Sequence, residues 1–323
     1  MKKTILGAVI AIAATFGAPA SAIAQDYPSK TIKIISPSAP GGPTDVTARI
    51  IADRLAQVLK VSVIVENKPG GTGALAFDII AKSPPDGYTL TVGFIAGMVF
   101  HPLLNNKLPF DAQKDFTPIT QISYSGNMLV VHPSVPVTNV KEFLAYVKAQ
   151  PTPPSYGSWG NASGGHLAGE LLKTLTGINM VHVPYRSTSA LATDIAGGHM
   201  LLGMLDPTNT MAQAKAGRLR PVAVTGLTRS KGLPELPTMM EQGVNLAAGI
   251  WTGILGPANM PKPIVEKLNL EITKILREPE VREKFLTMTG DYPKTTTAEE
   301  FDKIIRDDFT LWRRIITEAK ITL

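Results

Sequence analysis

IKIISPSAPGGPTDVTARIIADRLAQVL, residues 32–59, decides the fold of this chain. Ile32, Ile34 and Ile35 form a short β-branched run, and Pro40-Gly41-Gly42-Pro43 forbids its continuation. Thr44 or Asp45 is then placed to cap an amphipathic helix, so the stretch predicts a strand, a glycine loop and a helix. Such a loop aims backbone N–H groups at one point, with the positive end of a helix dipole behind them. No lysine or arginine lies between Ser36 and Thr47. Two readings follow: a neutral cradle for a carboxylate formed by Pro40, Gly41, Gly42, Thr44 and Asp45, or a plain strand-to-helix connection whose glycines serve the turn.

The same alternation continues outward. β-Branched runs predict strands at 31–36, 61–65, 89–93, 127–131, 181–183, 201–205 and 222–225. Longer amphipathic stretches predict helices at 45–59, 74–81, 140–149, 165–175, 189–197, 208–216, 263–277, 279–286 and 297–319. This is the pattern of an α/β protein with mostly parallel sheets flanked by helices. Residues 116–131 and 246–255 are long, extended and apolar, which suits two strands crossing between lobes. The chain then divides into lobe 1 at 25–125 and 247–323, and lobe 2 at 126–246. Pro151-Thr152-Pro153-Pro154 becomes a loop inside lobe 2.

The N-terminus sets the compartment. Lys2 and Lys3 precede an uncharged apolar run, then Ala20-Ser21-Ala22 and Ala22-Ile23-Ala24, two overlapping A-x-A patterns. Residues 1–24 therefore read as a bacterial secretory signal peptide, too short for a membrane span. There is no cysteine, which excludes disulfides, thiolate catalysis and a lipid anchored on sulfur. A soluble periplasmic protein is expected. The whole chain carries a formal charge of +6; the leader holds two lysines and no acid, so +4 remains without it. No basic cluster interleaves with aromatics, so nucleic acid is not an expected partner.

Three further constellations carry possible chemistry. Gly71-Thr72-Gly73-Ala74-Leu75-Ala76 matches G-x-G-x-x-A, but it follows the second strand of its lobe and a secreted protein meets no nicotinamide pool. It is taken as a second helix N-terminus, with Gly73 facing the cleft. In lobe 2, loop 156–167 supplies Ser158, Asn161 and Ser163 as side-chain donors beside the backbone of Ala162, a set suited to a carboxylate. Ser158 or Ser163 with a histidine would suit a secreted serine hydrolase, the alternative of another class. There is no G-x-S-x-G elbow, however, and His166 is placed as a helix-cap or core residue. The five histidines show no metal-binding spacing, and neither a metal nor a cofactor is expected. Tyr185 and Arg186 end one strand and Asp206 another; Arg186 is open to a ligand carboxylate, to Asp206 or to solvent. Met98, Phe100, Trp159 and Tyr185 are candidates for apolar walls around an aromatic or medium-chain dicarboxylate.

With these pieces in view the chain resembles the Bug family of periplasmic solute receptors, the extracytoplasmic components of tripartite tricarboxylate transporters. The residues that carry the resemblance are Tyr27-Pro28-Ser29-Lys30, Pro40-Gly41-Gly42-Pro43-Thr44-Asp45, Val65-Glu66-Asn67-Lys68-Pro69-Gly70-Gly71, Ser83-Pro84-Pro85-Asp86-Gly87-Tyr88-Thr89 and Lys114-Asp115-Phe116-Thr117-Pro118-Ile119. Tyr156-Gly157-Ser158, His166-Leu167-Ala168-Gly169-Glu170 and Val183-Pro184-Tyr185-Arg186 continue it. The resemblance implies a monomeric two-lobed binding protein of the type II, Venus flytrap kind and no catalysis. It implies closure on a small carboxylate held largely by backbone amides of 41–45 and 158–163, and delivery to integral-membrane transporter subunits.

Overall fold

The computed structural model describes residues 27–105, 107–318 and 320–322. The signal-peptide expectation at 1–24 lies outside them. Strand β1 (Ile32–Ser36) leads into helix α1 (Pro43–Leu59), which ends on Lys60 in the left-handed region. Next come β2 (Val63–Asn67), a 3-10 turn at Gly71–Gly73, α2 (Ala74–Ala81) and β3 (Thr89–Phe94). A π-turn at Ala96–Phe100 and the short α3 (His101–Leu104) follow, a helical detour that periodicity did not signal.

Strand β4 (Phe116–Gly126) then hands over to β5 (Met128–Val131), α4 (Val140–Lys148), β6 (Ser155–Ser158), α5 (Gly164–Thr176), β7 (Val181–Pro184) and α6 (Thr188–Ala196). After β8 (Leu202–Leu205), α7 (Pro207–Lys215) and β9 (Arg220–Val224), the chain returns through β10 (Gly249–Pro257) to α8 (Lys262–Arg277), α9 (Pro279–Thr289) and α10 (Ala298–Glu318). Strand β6 is the one the sequence hid. Its Ser-Tyr-Gly-Ser lacks the branched residues that mark the others, and it forms by pairing in parallel with β7 and β8.

Two five-stranded sheets result, ordered β2-β1-β3-β10-β4 and β7-β6-β8-β5-β9. In the first, β1 pairs in parallel with β2 and β3 while β10 lies antiparallel between β3 and β4. In the second, β5 is antiparallel to both β8 and β9. One strand is therefore reversed in each sheet. In both it is the strand by which the chain enters that lobe from the other, so a crossing and a reversal are one event.

The crossings are tightly built. Gly126 faces the backbone of Gly226 with no room for a Cβ. Asn127 N donates to Thr225 Oγ1 (2.9 Å), Thr225 Oγ1 to Ala248 O (2.7 Å), and Asn127 Nδ2 to both Ala248 O and Gly164 O (3.2 Å each). A further tie lies beside them: Ser230 Oγ donates to Gly290 O (2.7 Å), Gly232 N to the same carbonyl (2.8 Å), and Lys231 N to the Asp291 carboxylate (2.9 Å). One buried apolar cluster runs from Phe77, Phe100 and Trp312 through Trp251 and Leu246 to Leu129, Phe143 and Leu167, so the two lobes share a core at the crossings.

Candidate functional site

In open α/β sheets ligands bind beyond the carboxyl ends of the strands. Here β1 and β6 each end on a serine that is fully buried, Ser36 and Ser158. Each serine is followed by a loop and a helix N-terminus, and the two loops are braced alike.

In lobe 1 the Ser36 hydroxyl lies 3.2 Å from Thr44 Oγ1 and 3.3 Å from Ser38 Oγ. Ser38 Oγ accepts from Asp45 N (3.1 Å) and from Thr44 Oγ1 (2.7 Å). The helix cap thus comes from Ser38, seven residues upstream of the amide it satisfies. It does not come from Thr44 or Asp45, because α1 begins at Pro43 and Gly42 occupies the cap position without a side chain. Asp45 is buried and does other work. Its carboxylate accepts from Gly41 N (2.8 Å), Arg49 Nε (3.1 Å) and Asn67 Nδ2 (2.8 Å). Burial pushes its pKa up, but the bonds from Arg49, Gly41 and Asn67 outweigh it and hold the carboxyl below its usual range.

This corrects the picture of a loop of free donors. The Gly41 amide is engaged by Asp45 and the Gly42 amide by Ala39 O (3.0 Å). Thr44 N, at the α1 N-terminus, takes no partner among the described residues. Pro40 and Gly41 are exposed at the loop tip. Gly73 has φ +88° and faces the Phe77 ring, where a Cβ would come within 2.6 Å. Packing, not the cleft, requires that glycine.

In lobe 2 Ser163 caps α5, its Oγ accepting from His166 N (3.2 Å) and donating to Ser158 Oγ (3.1 Å). Ser158 Oγ donates to Gly160 O (3.0 Å) and lies 2.7 Å from His182 Nε2. Ala162, at φ +54°, turns its N–H onto His166 Nδ1 (3.2 Å). The amides of Gly164 and Gly165 take no partner among the described residues, and Asn161 is exposed on the rim.

The Ser158–His182 pair excludes the hydrolase reading on geometry. Ser158 Oγ is held between Gly160 O (3.0 Å), His182 Nε2 (2.7 Å) and Ser163 Oγ (3.1 Å), with no face left toward a substrate. The hydroxyl is also fully buried, out of reach of a substrate.

Other expectations meet the core. Met98 and Phe100 are buried, Phe100 edge-on to Trp312 with centroids 4.7 Å apart, because the π-turn after β3 rolls both inward. Tyr185 donates to Asp194 (2.9 Å) and packs on the lobe 2 core; burial and then Asp194 push its pKa up to about 12. Of the four apolar wall candidates Trp159 and Tyr185 stay partly exposed, the Trp159 ring against Gly165. Arg186 is exposed and forms no ion pair with Asp206. Asp206 instead caps α7 through Asn209 N (2.9 Å). Sequence reasoning missed Ser38 and Asn67. Asn67 stood in a motif already singled out, and its register opposite Ser36 on β1 places its amide on both Ser38 O (2.9 Å) and Asp45.

Among the described residues no helix is long and apolar enough to cross a membrane, and no group of side chains is arranged to hold a metal. The model of the tripartite tricarboxylate transporter family receptor matches residues 47–321. The chain belongs to this receptor family. Protein BugT of Bordetella pertussis is 30% identical over 322 residues, covering 99% of this chain and 98% of BugT. Among solved structures, R. palustris Rpa4515 with adipate superposes at a TM-score of 0.81 with 30% identity, covering 92% of this chain and 99% of that one. MatC (Rpa3494) from Rhodopseudomonas palustris with bound malate gives 0.75 and 25% identity, covering 90% and 100%. A receptor of this family binds a solute and is no enzyme, which agrees with a serine buried away from any substrate.

Proposed function

We propose that this receptor binds a small dicarboxylate between its lobes and hands it to the integral-membrane subunits of a tripartite transporter. The observation that carries the reading is the pair of helix N-termini at the ends of β1 and β6. Each has its first-turn side-chain cap in place and backbone amides left over, Thr44 in lobe 1, Gly164 and Gly165 in lobe 2. Amides at a helix N-terminus favour an anion without a cationic side chain. Two structural neighbours hold adipate and malate, both dicarboxylates. The ligand would then meet Thr44 N from lobe 1 and the Gly164 and Gly165 amides from lobe 2, with Pro40, Gly41, Gly42 and Asn161 at the loop surfaces and Asp45, Ser158, Ala162 and Ser163 bracing the two loops from behind.

Lobe 1 takes 25–125 and 247–323, lobe 2 takes 126–246, and the chain works as a periplasmic monomer after removal of 1–24. With Met98 and Phe100 in the core and the Tyr185 hydroxyl tied to Asp194, little aromatic surface is left for the pocket, and a flexible aliphatic chain fits it better than a flat ring. Calorimetry of the purified protein with adipate, malate, citrate and benzoate tests the reading. Binding of a dicarboxylate in preference to citrate and benzoate is expected; failure of every carboxylate to bind would overturn it.

A further inference from the structure

Beneath the lobe 2 loop lies a group of side chains with no assigned role. The rings of His166, on α5, and His182, on β7, stack with centroids 3.9 Å apart and planes at 17°. Tyr156 of β6 packs beside them, 5.2 Å from His182, and donates to Glu170 (2.8 Å), which also pairs with Lys173. These are the titratable groups that face the pair: Tyr156 from β6, Glu170 and Lys173 from α5, and each ring to the other.

The backbone fixes the His166 tautomer. Ala162 N–H points at His166 Nδ1, so the His166 proton is on Nε2, while His182 Nε2 lies 2.7 Å from Ser158 Oγ. The His166 ring is neutral in this arrangement. We propose that His166 is a positioning residue, whose bare Nδ1 holds Ala162 in its left-handed conformation and so aims the amides of Gly164 and Gly165 at the ligand. Left-handed backbone at an alanine costs about 1 kcal/mol or more, and something must hold it. Here the bond to His166 does so.

A proton on Nδ1 would set donor against donor at 3.2 Å, and the loop would turn Ala162 away. Burial pushes both histidines below their usual range, His182 to about 4, and a charge on either ring opposes a charge on the other. Ligand binding should therefore weaken on acidification beyond what titration of the ligand explains. The inference rests on the lobe 2 loop belonging to the binding site.

The test joins two measurements. The first follows the Ala162 amide and the two rings by NMR against pH without ligand. The Ala162 resonance should move with the titration of His166, and an amide indifferent to it would overturn the inference whatever the protein binds. The second compares adipate affinity against pH in wild type and in His166→Asn, whose Oδ1 accepts the same N–H but does not titrate. The variant should keep wild-type affinity at neutral pH and lack the extra acid loss, which in wild type approaches tenfold per unit of pH once His166 takes a proton. His166→Leu, with no acceptor, should bind about five- to tenfold more weakly at neutral pH. Superposable pH curves for wild type and His166→Asn would overturn the inference. If no carboxylate binds at any pH, the function reading fails while the amide titration still decides this one.

Discussion

Removing one hydroxyl, that of Ser38, tests how the lobe 1 loop is built. In the Ser38→Ala protein the amide of Asp45 loses its acceptor at 3.1 Å, and the buried Thr44 hydroxyl loses its partner at 2.7 Å, keeping only Ser36 at 3.2 Å. Loss of a helix cap costs about 1 kcal/mol, with a range of about 0.5–2. Re-pairing of Thr44 on Ser36 recovers most of the second bond, so the total is about 1–2 kcal/mol. For a chain of this size that corresponds to a melting temperature lower by roughly 2–6 °C. The same bonds orient Thr44 N, and adipate affinity should fall on the order of tenfold. Differential scanning calorimetry without ligand and titration calorimetry with adipate measure the two effects separately. A variant that melts and binds like wild type would refute the reasoning, since α1 would then be held by something other than this hydroxyl.

Neighbouring glycines should respond unequally. Gly41→Ala meets open space and bears only the strain of φ +80°, about 1 kcal/mol, whereas a Cβ on Gly42 would lie 2.8 Å from Ser38 Oγ and should weaken binding like Ser38→Ala; equal effects in titration calorimetry would contradict this. Asp308 accepts from Trp251 Nε1 (2.7 Å), and burial pushes its pKa up to about 6. Between the unfolded value near 4 and that folded value the native chain binds the extra proton, so stability falls as pH rises from about 4 to about 6. Asp308→Asn should flatten that part of a melting-temperature profile, and an unaltered slope would exclude Asp308 as its source. Closure of the lobes about the crossing strands near 116–124 and 246–251 should lower the radius of gyration in small-angle scattering at saturating adipate; an unchanged curve under conditions where calorimetry shows binding would rule it out.

Residues that act on their own neighbours in sequence were legible; residues that act across strands were not. The α2 helix was bounded at Ala74 and Ala81 because a glycine run precedes a largely apolar octet and Lys82-Ser83-Pro84 follows it. The two crossing strands stood out because long apolar runs without helical period have few other uses. Strand β6 was opaque, since its four residues become a strand only through β7 and β8. The same distinction governs the site. The glycine loops announced themselves, yet the identity of the capping group depended on how Ser38 folds back over α1, and the engagement of Gly41 depended on a carboxylate four residues on. Met98 and Phe100 were misplaced because a π-turn shifts the angular position of every side chain after it, which a 3.6-residue period cannot anticipate.

The reversed strand of the first sheet has a consequence for the order in which the molecule is made. Strand β10 occupies the position between β3 and β4, which touch each other only through it. Until residue 257 has emerged, the first sheet is two separate pieces, and its later helices are still to come. The second sheet, by contrast, is built entirely from consecutive strands β5 to β9 and is complete before β10 exists. A chain emerging from its N-terminus therefore closes its inserted sheet first and leaves the earlier one in two pieces meanwhile. The lobe 1 glycine loop, braced within residues 36–67, is among the first parts synthesised, while the sheet that carries it is among the last to close.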